Sequence, residues 1–386
     1  MQTLTILGGG FAGVWAAMSA AAEREARNAT DVTITLVSKD SSLTIRPRLY
    51  EGAKEEMRVP LAPLMKTIGV TLTVAEAQEI DAGTHKIQLT DNERLSFDRL
   101  VLATGSQLRR LTIPGVESNT FSVDTFAETR RLDNHLATLP DDAMVVVVGA
   151  SFTGLEVATE LRSRLGGKAR IVLIDQADSA DAGLGTNPRL PIAEALAESR
   201  IETRFRTRVS EVQTDSIVLD SGERLATRTL ILATGIEASP LTRFIPGERD
   251  AYGRLMVGPD LKVTGTNNIF AAGDTAHALA DDVHVAYMSC QHAIQLGRFA
   301  GYNALCDLLG RSTRRYRQEH YVTCLDLGPW GALFTSGWDR QVQKIRDEGK
   351  AMKRQINCER IYPPSPEIGK QAIFGKIALA KENQAA

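Results

Sequence analysis

Two stretches constrain the fold more than anything else in the chain: "ILGGGFAGVWAAMSAAAE", starting at Ile6, and "VVVVGASFTGLEVATEL", starting at Val145. Each runs from an apolar strand through a glycine turn into a helix. In the first, the strand Leu4–Leu7 leads to Gly8, Gly10 and Gly13 in GxGxxG spacing. The first glycine makes a tight turn, the second lets a pyrophosphate approach the backbone, and the third lets helix and strand pack closely. The helix N-terminus then presents free N–H groups and a positive dipole end to the phosphates. In the second, the strand Met144–Val148 leads to Gly149, Ser151 and Gly154, then to a helix from about Leu155 to Leu165. Ser151 stands where the second glycine belongs, and its hydroxyl can donate to a phosphate oxygen.

Each unit continues into a second strand. "DVTITLV" (Asp31–Val37) ends before Ser38-Lys39-Asp40, and "ARIVLID" ends in Asp175. A carboxylate there suits the ribose hydroxyls of NADH and repels the extra phosphate of NADPH. One GxGxxG is a weak signal. Two complete strand–turn–helix–strand units predict two dinucleotides, a flavin held permanently and a nicotinamide that visits.

The bulk properties fit. The chain has 386 residues, two or three domains' worth, and its 43% hydrophobic content is ample for buried cores. A net charge of −2 gives no reason to expect nucleic acid. Cys290, Cys306, Cys324 and Cys358 have neither CxxC nor zinc spacing, so no metal site is expected and the thiols fit a reducing cytosol. The N-terminus enters a strand without a signal-peptide pattern, and the longest apolar run, Ala143–Ala150, is too short for a membrane span. The expected location is cytoplasmic, with peripheral contact at the cytoplasmic face of the inner membrane left open.

Three more stretches complete a pattern: "FDRLVLATGS" (Phe97–Ser106), "TRTLILATGIEASP" (Thr227–Pro240) and "NNIFAAGDTAH" (Asn267–His277). With both glycine turns, they make the chain resemble the FAD-dependent pyridine nucleotide oxidoreductases, in this order and over nearly its whole length. The resemblance implies an FAD turn at Gly8, Gly10 and Gly13 with the intervening Phe11 and Ala12. It places Ser38 and Lys39 at the adenosine ribose and the Ala77 backbone at the adenine. Ala103, Thr104 and Gly105 fall beside the flavin phosphates, and Gly273 and Asp274 fall at the ribityl chain. NADH falls to Gly149, Ser151, Phe152, Thr153, Gly154, Asp175 and Gly235, with Glu156 near the nicotinamide. "GASFTGLE" is similar to a variant turn in flavoproteins like apoptosis-inducing factor, which bind NADH.

Disulfide reductases of this family carry a CxxxxC pair after the second strand, but Lys39–Ala53 has no cysteine, so a thiol relay is excluded there. "PRLYEGA" instead resembles "PLLYEVA" of type II NADH dehydrogenases, which implies that Pro47 lies against the flavin ring. "AYMSCQHAIQLG" resembles their quinone-side AQxxxQxG element through Gln291, Gln295 and Gly297. Glutamines at i and i+4 share a helix face and can bond quinone carbonyls; an exposed polar face is the alternative. His292 reads equally as a packed side chain or a proton donor, and Cys290 as a small buried residue.

The expected fold is α/β: two Rossmann-like domains, for FAD (1–112 and 245–318) and for NAD(H) (113–244), with a small α+β C-terminal region (319–386) packed over the flavin. Hydride is expected to pass from NADH to flavin N5, with Glu156 orienting the carboxamide, and electrons then to a quinone-like acceptor. Alternatives are a soluble reductase of a redox protein or small organic acceptor, an NADH-binding signalling flavoprotein, and a flavin-free Rossmann pair. A helix is expected over Lys344–Pro364, carrying Lys344, Arg346, Lys350, Lys353 and Arg354 as a solvated basic face or homodimer contact. The tail offers Ile373, Phe374, Ile377 and Leu379 for a weak interfacial helix.

Overall fold

The computed structural model describes residues 2–90, 92–180 and 183–379. The end of the tail, from 380 onward, lies outside the described residues. In chain order the elements that build the site are β1 (Gln2–Leu7), α1 (Phe11–Ala26), β2 (Val32–Ser38), β3 (Thr71–Val74), β4 (Arg99–Leu102) and β5 (Ser106–Leu108). Next come β6 (Phe121–Ser122), α2 (Phe126–Leu136), β7 (Ala143–Val148), α3 (Phe152–Leu165), β8 (Ala169–Ile174), β9 (Glu202–Arg204), β10 (Thr229–Leu232) and β11 (Ile236–Ala238). The remainder is β12 (Ile269–Ala271), α4 (Cys290–Leu308), β13 (Val322–Asp326), β14 (Ala332–Ser336), β15 (Gln341–Lys344), α5 (Arg346–Gln355) and α6 (Lys370–Ile377).

Two five-stranded parallel sheets carry the architecture, in the orders β12-β4-β1-β2-β3 and β6-β10-β7-β8-β9. Their central strands are covered on both faces, which is why they read as unbroken apolar runs rather than alternating ones: Val145 through Val148 are all buried. The sheets are joined by an antiparallel ribbon of β5 and β11, in which Ser106 faces Ala238 and Leu108 faces Ile236. Helix α1 crosses from β1 to β2 and packs on α4 through small residues. A Cβ added at Gly297 or Gly301 would lie 2.2 or 2.1 Å from the carbonyl oxygens of Ala12 and Ala16. The α/β fold with two Rossmann-like halves is therefore observed.

The C-terminal region is a three-stranded antiparallel sheet, β13-β14-β15, followed by α5 and α6. It departs from expectation between Lys344 and Pro364. Lys344 ends a strand, Ile345 is extended, and α5 begins only at Arg346, itself at φ 56°, closing in a π turn over Ile356–Arg360. The tail departs too. Ile373, Phe374 and Ile377 of α6 are buried in the main core with α1, so three of the four residues offered for an interfacial helix face inward; Leu379 follows the helix, half-buried. Among the described residues no helix is long and apolar enough to cross a membrane.

Candidate active site

Both glycine turns are built by backbone contacts that exclude a side chain. Gly8, at φ 118°, places any Cβ 2.2 Å from the carbonyl oxygen of Ala103, and Gly13 places one 1.7 Å from that of Gly8. The second unit repeats this: Gly149, at φ 107°, meets Ala233 at 2.2 Å, and Gly154 meets Gly149 at 1.7 Å. Strand end, turn and helix are thus in backbone contact at four glycines. The middle position is different. Gly10 has no other group within 4 Å of a built Cβ, and its backbone (φ −81°, ψ −170°) is extended, which any residue adopts. Ser151 has the same conformation (φ −80°, ψ −173°), so the serine costs the turn nothing. Neither helix has a side-chain cap, leaving the first-turn N–H groups, from Phe11 and Ala12 and from Phe152 and Thr153 onward, for an anion.

The other expected dinucleotide residues gather around these turns. Thr104 Oγ1 is buried with no protein partner, beside Gly8. Gly105 (φ 67°) and Gly235 (φ 88°) immediately precede the two paired strands of the ribbon. Gly273 (φ 70°) lets its turn approach Ala12, to whose Cβ a new Cβ would come within 2.8 Å. Next to it the half-buried Asp274 carboxylate accepts a 2.6 Å bond from Ser106 Oγ, and burial pushes its pKa above the usual range. A cradle open at Gly10, an unpartnered buried hydroxyl and a lightly satisfied carboxylate fit a ligand with phosphates and several hydroxyls.

Ser38, Lys39, Ala77, Pro47 and Asp175 each have a defined place in the fold. Ser38 is buried and already donates to the Asp40 carbonyl at 2.6 Å, while Lys39 reaches out to Glu76 at 2.7 Å. Ala77 opens an outer strand, Ala77–Asp81, and Pro47 lies half-buried in the 3₁₀ turn Arg46–Glu51. Asp175 braces the second turn, accepting from the N–H groups of Ala150 (2.6 Å) and Ala177 (2.7 Å). Its negative charge stands where the ribose acid was expected.

Glu156 is buried, and the C-terminal region holds it. Its Oε1 accepts from Lys353 Nζ at 2.7 Å and from the Asp326 N–H at 3.1 Å. Lys350 Nζ donates to both oxygens of Asp326 (2.6 and 2.8 Å), to which Tyr50 also donates at 3.0 Å. Burial pushes the Glu156 carboxyl up; burial opposes the Lys353 ammonium, but Glu156 holds it above its usual value, so the lysine is charged. Two lysines expected on a solvated face are therefore internal counter-ions, and Arg346 pairs with Glu198 at 2.6 Å.

The acceptor-side residues are more committed than their spacing suggested. Gln291 is zipped to β13: its Nε2 donates to the Val322 carbonyl at 3.0 Å and its Oε1 accepts from the Val322 N–H at 3.4 Å. Gln295 accepts from Arg298 at 3.1 Å, and Arg298 anchors the carbonyls of Ile377 and Ala378. His292 is fully buried among Tyr287, Tyr321 and Trp338, with Nδ1 2.9 Å from Ser289 Oγ. Burial lowers its pKa to about 4, so the packed reading holds and the ring is neutral near pH 7. Burial pushes the Cys290 thiol up to about 11 and the Cys324 thiol to about 12, so neither is a thiolate.

Lys353, Asp326 and Tyr50 were missed by sequence reasoning. The only signal was the i, i+3 spacing of Lys350 and Lys353, which names a face but no partner.

Comparison with known proteins agrees with this geometry. Residues 2–297 match the family model described as pyridine nucleotide-disulphide oxidoreductase. An NADH dehydrogenase-like protein of Mycobacterium tuberculosis is 40% identical over 380 residues, covering 94% of this chain and 95% of that protein. A demethylphylloquinone reductase of Synechocystis is 27% identical over 348 residues, 86% of each chain. Among solved structures, the sulfide:quinone oxidoreductase of Aquifex aeolicus shares the fold, with a TM-score of 0.76 at 18% identity over 93% of this chain and 90% of that one. The chain belongs to the pyridine nucleotide-disulphide oxidoreductase family, as an NADH dehydrogenase-like oxidoreductase.

Proposed function

We propose that the protein is an FAD-dependent NADH dehydrogenase that delivers electrons to a quinone. The observation that carries this reading is the pair of matching turns, alike in backbone at the middle residue and uncapped at the helix, at the two ends of one short ribbon. Bound FAD supplies the hydride acceptor, N5, and the redox chemistry. The chain supplies placement. Gly8–Gly13 and the α1 N-terminus hold one pyrophosphate, Thr104 lies beside its phosphates, Asp274 takes a hydroxyl of the same ligand, and Gly149–Gly154 hold the other. Asp175 stands at the ribose position of the second unit and favours NADH. Glu156, fixed by Lys353, orients the carboxamide, and stacking does most of the rest.

The quinone reading leans on the Synechocystis relative, a quinone reductase by name, and on the placement of Gln291 and Gln295 along α4. The Gln291 amide is bonded at both ends to Val322, so a quinone carbonyl has to displace one of those bonds. That observation favours, as a second reading, a redox protein or another small organic acceptor. An anaerobic titration with NADH, followed by a soluble quinone, decides. Bleaching of the flavin and recovery with quinone is the expected result. Bleaching without recovery selects the second reading, and no bleaching overturns both.

A further inference from the structure

One side chain outside the expected set touches three parts of the site. Arg46 begins the 3₁₀ turn after β2. Its Nη1 donates to Ser106 Oγ at 2.8 Å and to the Ser106 carbonyl at 3.3 Å. Its Nη2 pairs with Asp124, whose other oxygen accepts the Leu108 N–H at 3.0 Å. Ser106 in turn donates to Asp274 at 2.6 Å. Ser106 and Leu108 are on one leg of the ribbon, and Asp124 lies just before α2 on the second unit.

A two-stranded ribbon is a compliant joint, because an isolated hairpin is only marginally stable. Hydride transfer between two separately held cofactors needs the units fixed to a fraction of an ångström. The turn segment clamps α2 again at Ala53, whose N–H donates to Asp133 at 2.8 Å, and through the exposed Glu55–Arg130 pair. Arg46 bonds both Asp124, just ahead of α2, and Ser106, which in turn bonds the carboxylate beside the first turn. Its planar fork can hold two acceptors at once, where a lysine ammonium on a flexible stem cannot hold both in register.

Building on the NADH-dehydrogenase reading, we infer that Arg46 is a positioning residue with two separable tasks. Through Asp124 it fixes the second nucleotide-binding unit for hydride transfer, and through Ser106 it orients Asp274 for the flavin.

The test uses the full chain loaded with FAD and reads two quantities: the FAD dissociation constant by flavin fluorescence, and the single-turnover rate of bleaching by NADH. Asp124→Asn should leave the dissociation constant within about threefold and slow bleaching at least about tenfold, as a small misplacement does. Arg46→Lys should behave like Asp124→Asn, and the double variant should be no slower than either, since both break one link. Arg46→Met should also weaken FAD binding, by about tenfold, as expected for loss of a charge-assisted bond. Wild-type bleaching in Asp124→Asn, or additive slowing in the double variant, overturns the inference. If the unmodified protein does not bleach at all, the dehydrogenase reading fails instead. The dissociation constants then decide alone: equal values for Arg46→Met and the unmodified chain overturn the flavin-side task.

Discussion

The first and second glycine turns share the residues that touch their own chain and differ in those that do not. Gly8 and Gly149, like Gly13 and Gly154, meet equivalent carbonyl oxygens at the same distances. The middle residue, with no such contact at Gly10, is free to become Ser151. Two further differences lie around the turns. The second strand ends in a buried hydroxyl at Ser38 but in a carboxylate at Asp175. Two residues after the last turn glycine, the first helix carries Trp15, buried in the apolar core, and the second carries Glu156, buried against Lys353. Packing fixes the frame of such a unit, and the positions facing ligand or neighbouring segments vary.

The largest effect should follow from breaking the Glu156 difference. Lys353→Met leaves a buried carboxylate without its counter-ion and should lower stability by about 3–5 kcal/mol in urea unfolding. Adding Glu156→Gln should recover most of it. A single variant as stable as the parent would show that the carboxylate has another partner.

The first unit also carries α4, and with it His292. Its pKa falls from 6.5 to about 4 on folding. Above pH 6.5 the ring is neutral in both states and the stabilisation is complete. As the pH drops from 6.5 through 4 the unfolded chain takes up the proton first, and up to about 3 kcal/mol is lost. His292→Asn should flatten urea midpoints over that span; an unchanged slope would mean the ring is solvated.

Gly13→Ala and Gly154→Ala should each cost about 1–3 kcal/mol, and by similar amounts, because the obstruction is the same backbone carbonyl. A large difference between them would break the equivalence of the turns. The smallest change in folding, within about 1 kcal/mol, belongs to Gly10→Ala and Ser151→Gly. Gly10→Ala should nevertheless reduce FAD retained through gel filtration, separating the open cradle from the packed frame.

The frame was legible in the sequence because each of its requirements is local: glycine spacing, an apolar run, a following helix. Even Ser151 could be placed, since its neighbours announce the turn. The set around Glu156 was not legible. Its partner Lys353 lies in a segment whose basic residues read as solvated, and the helix that starts at Arg346 buries Lys353 against Glu156, a partner far away in the sequence. Gln291 read as a free helix face for a similar reason: β13, which occupies it, carries no sequence mark of where it docks. Arg46 stood next to Pro47, but what it touches is set by the ribbon, which brings distant strands together.

The strand order also decides which half of the molecule is finished first during synthesis. All five strands of the second sheet lie between Phe121 and Leu232, whereas β4 of the first sheet stays unpaired on one side until Ile269–Ala271 has emerged from the ribosome. The half that begins first is completed last. For that interval a nascent chain carries an open strand edge beside an already folded neighbour, the state in which edge-to-edge misassociation is most readily captured or prevented by a chaperone.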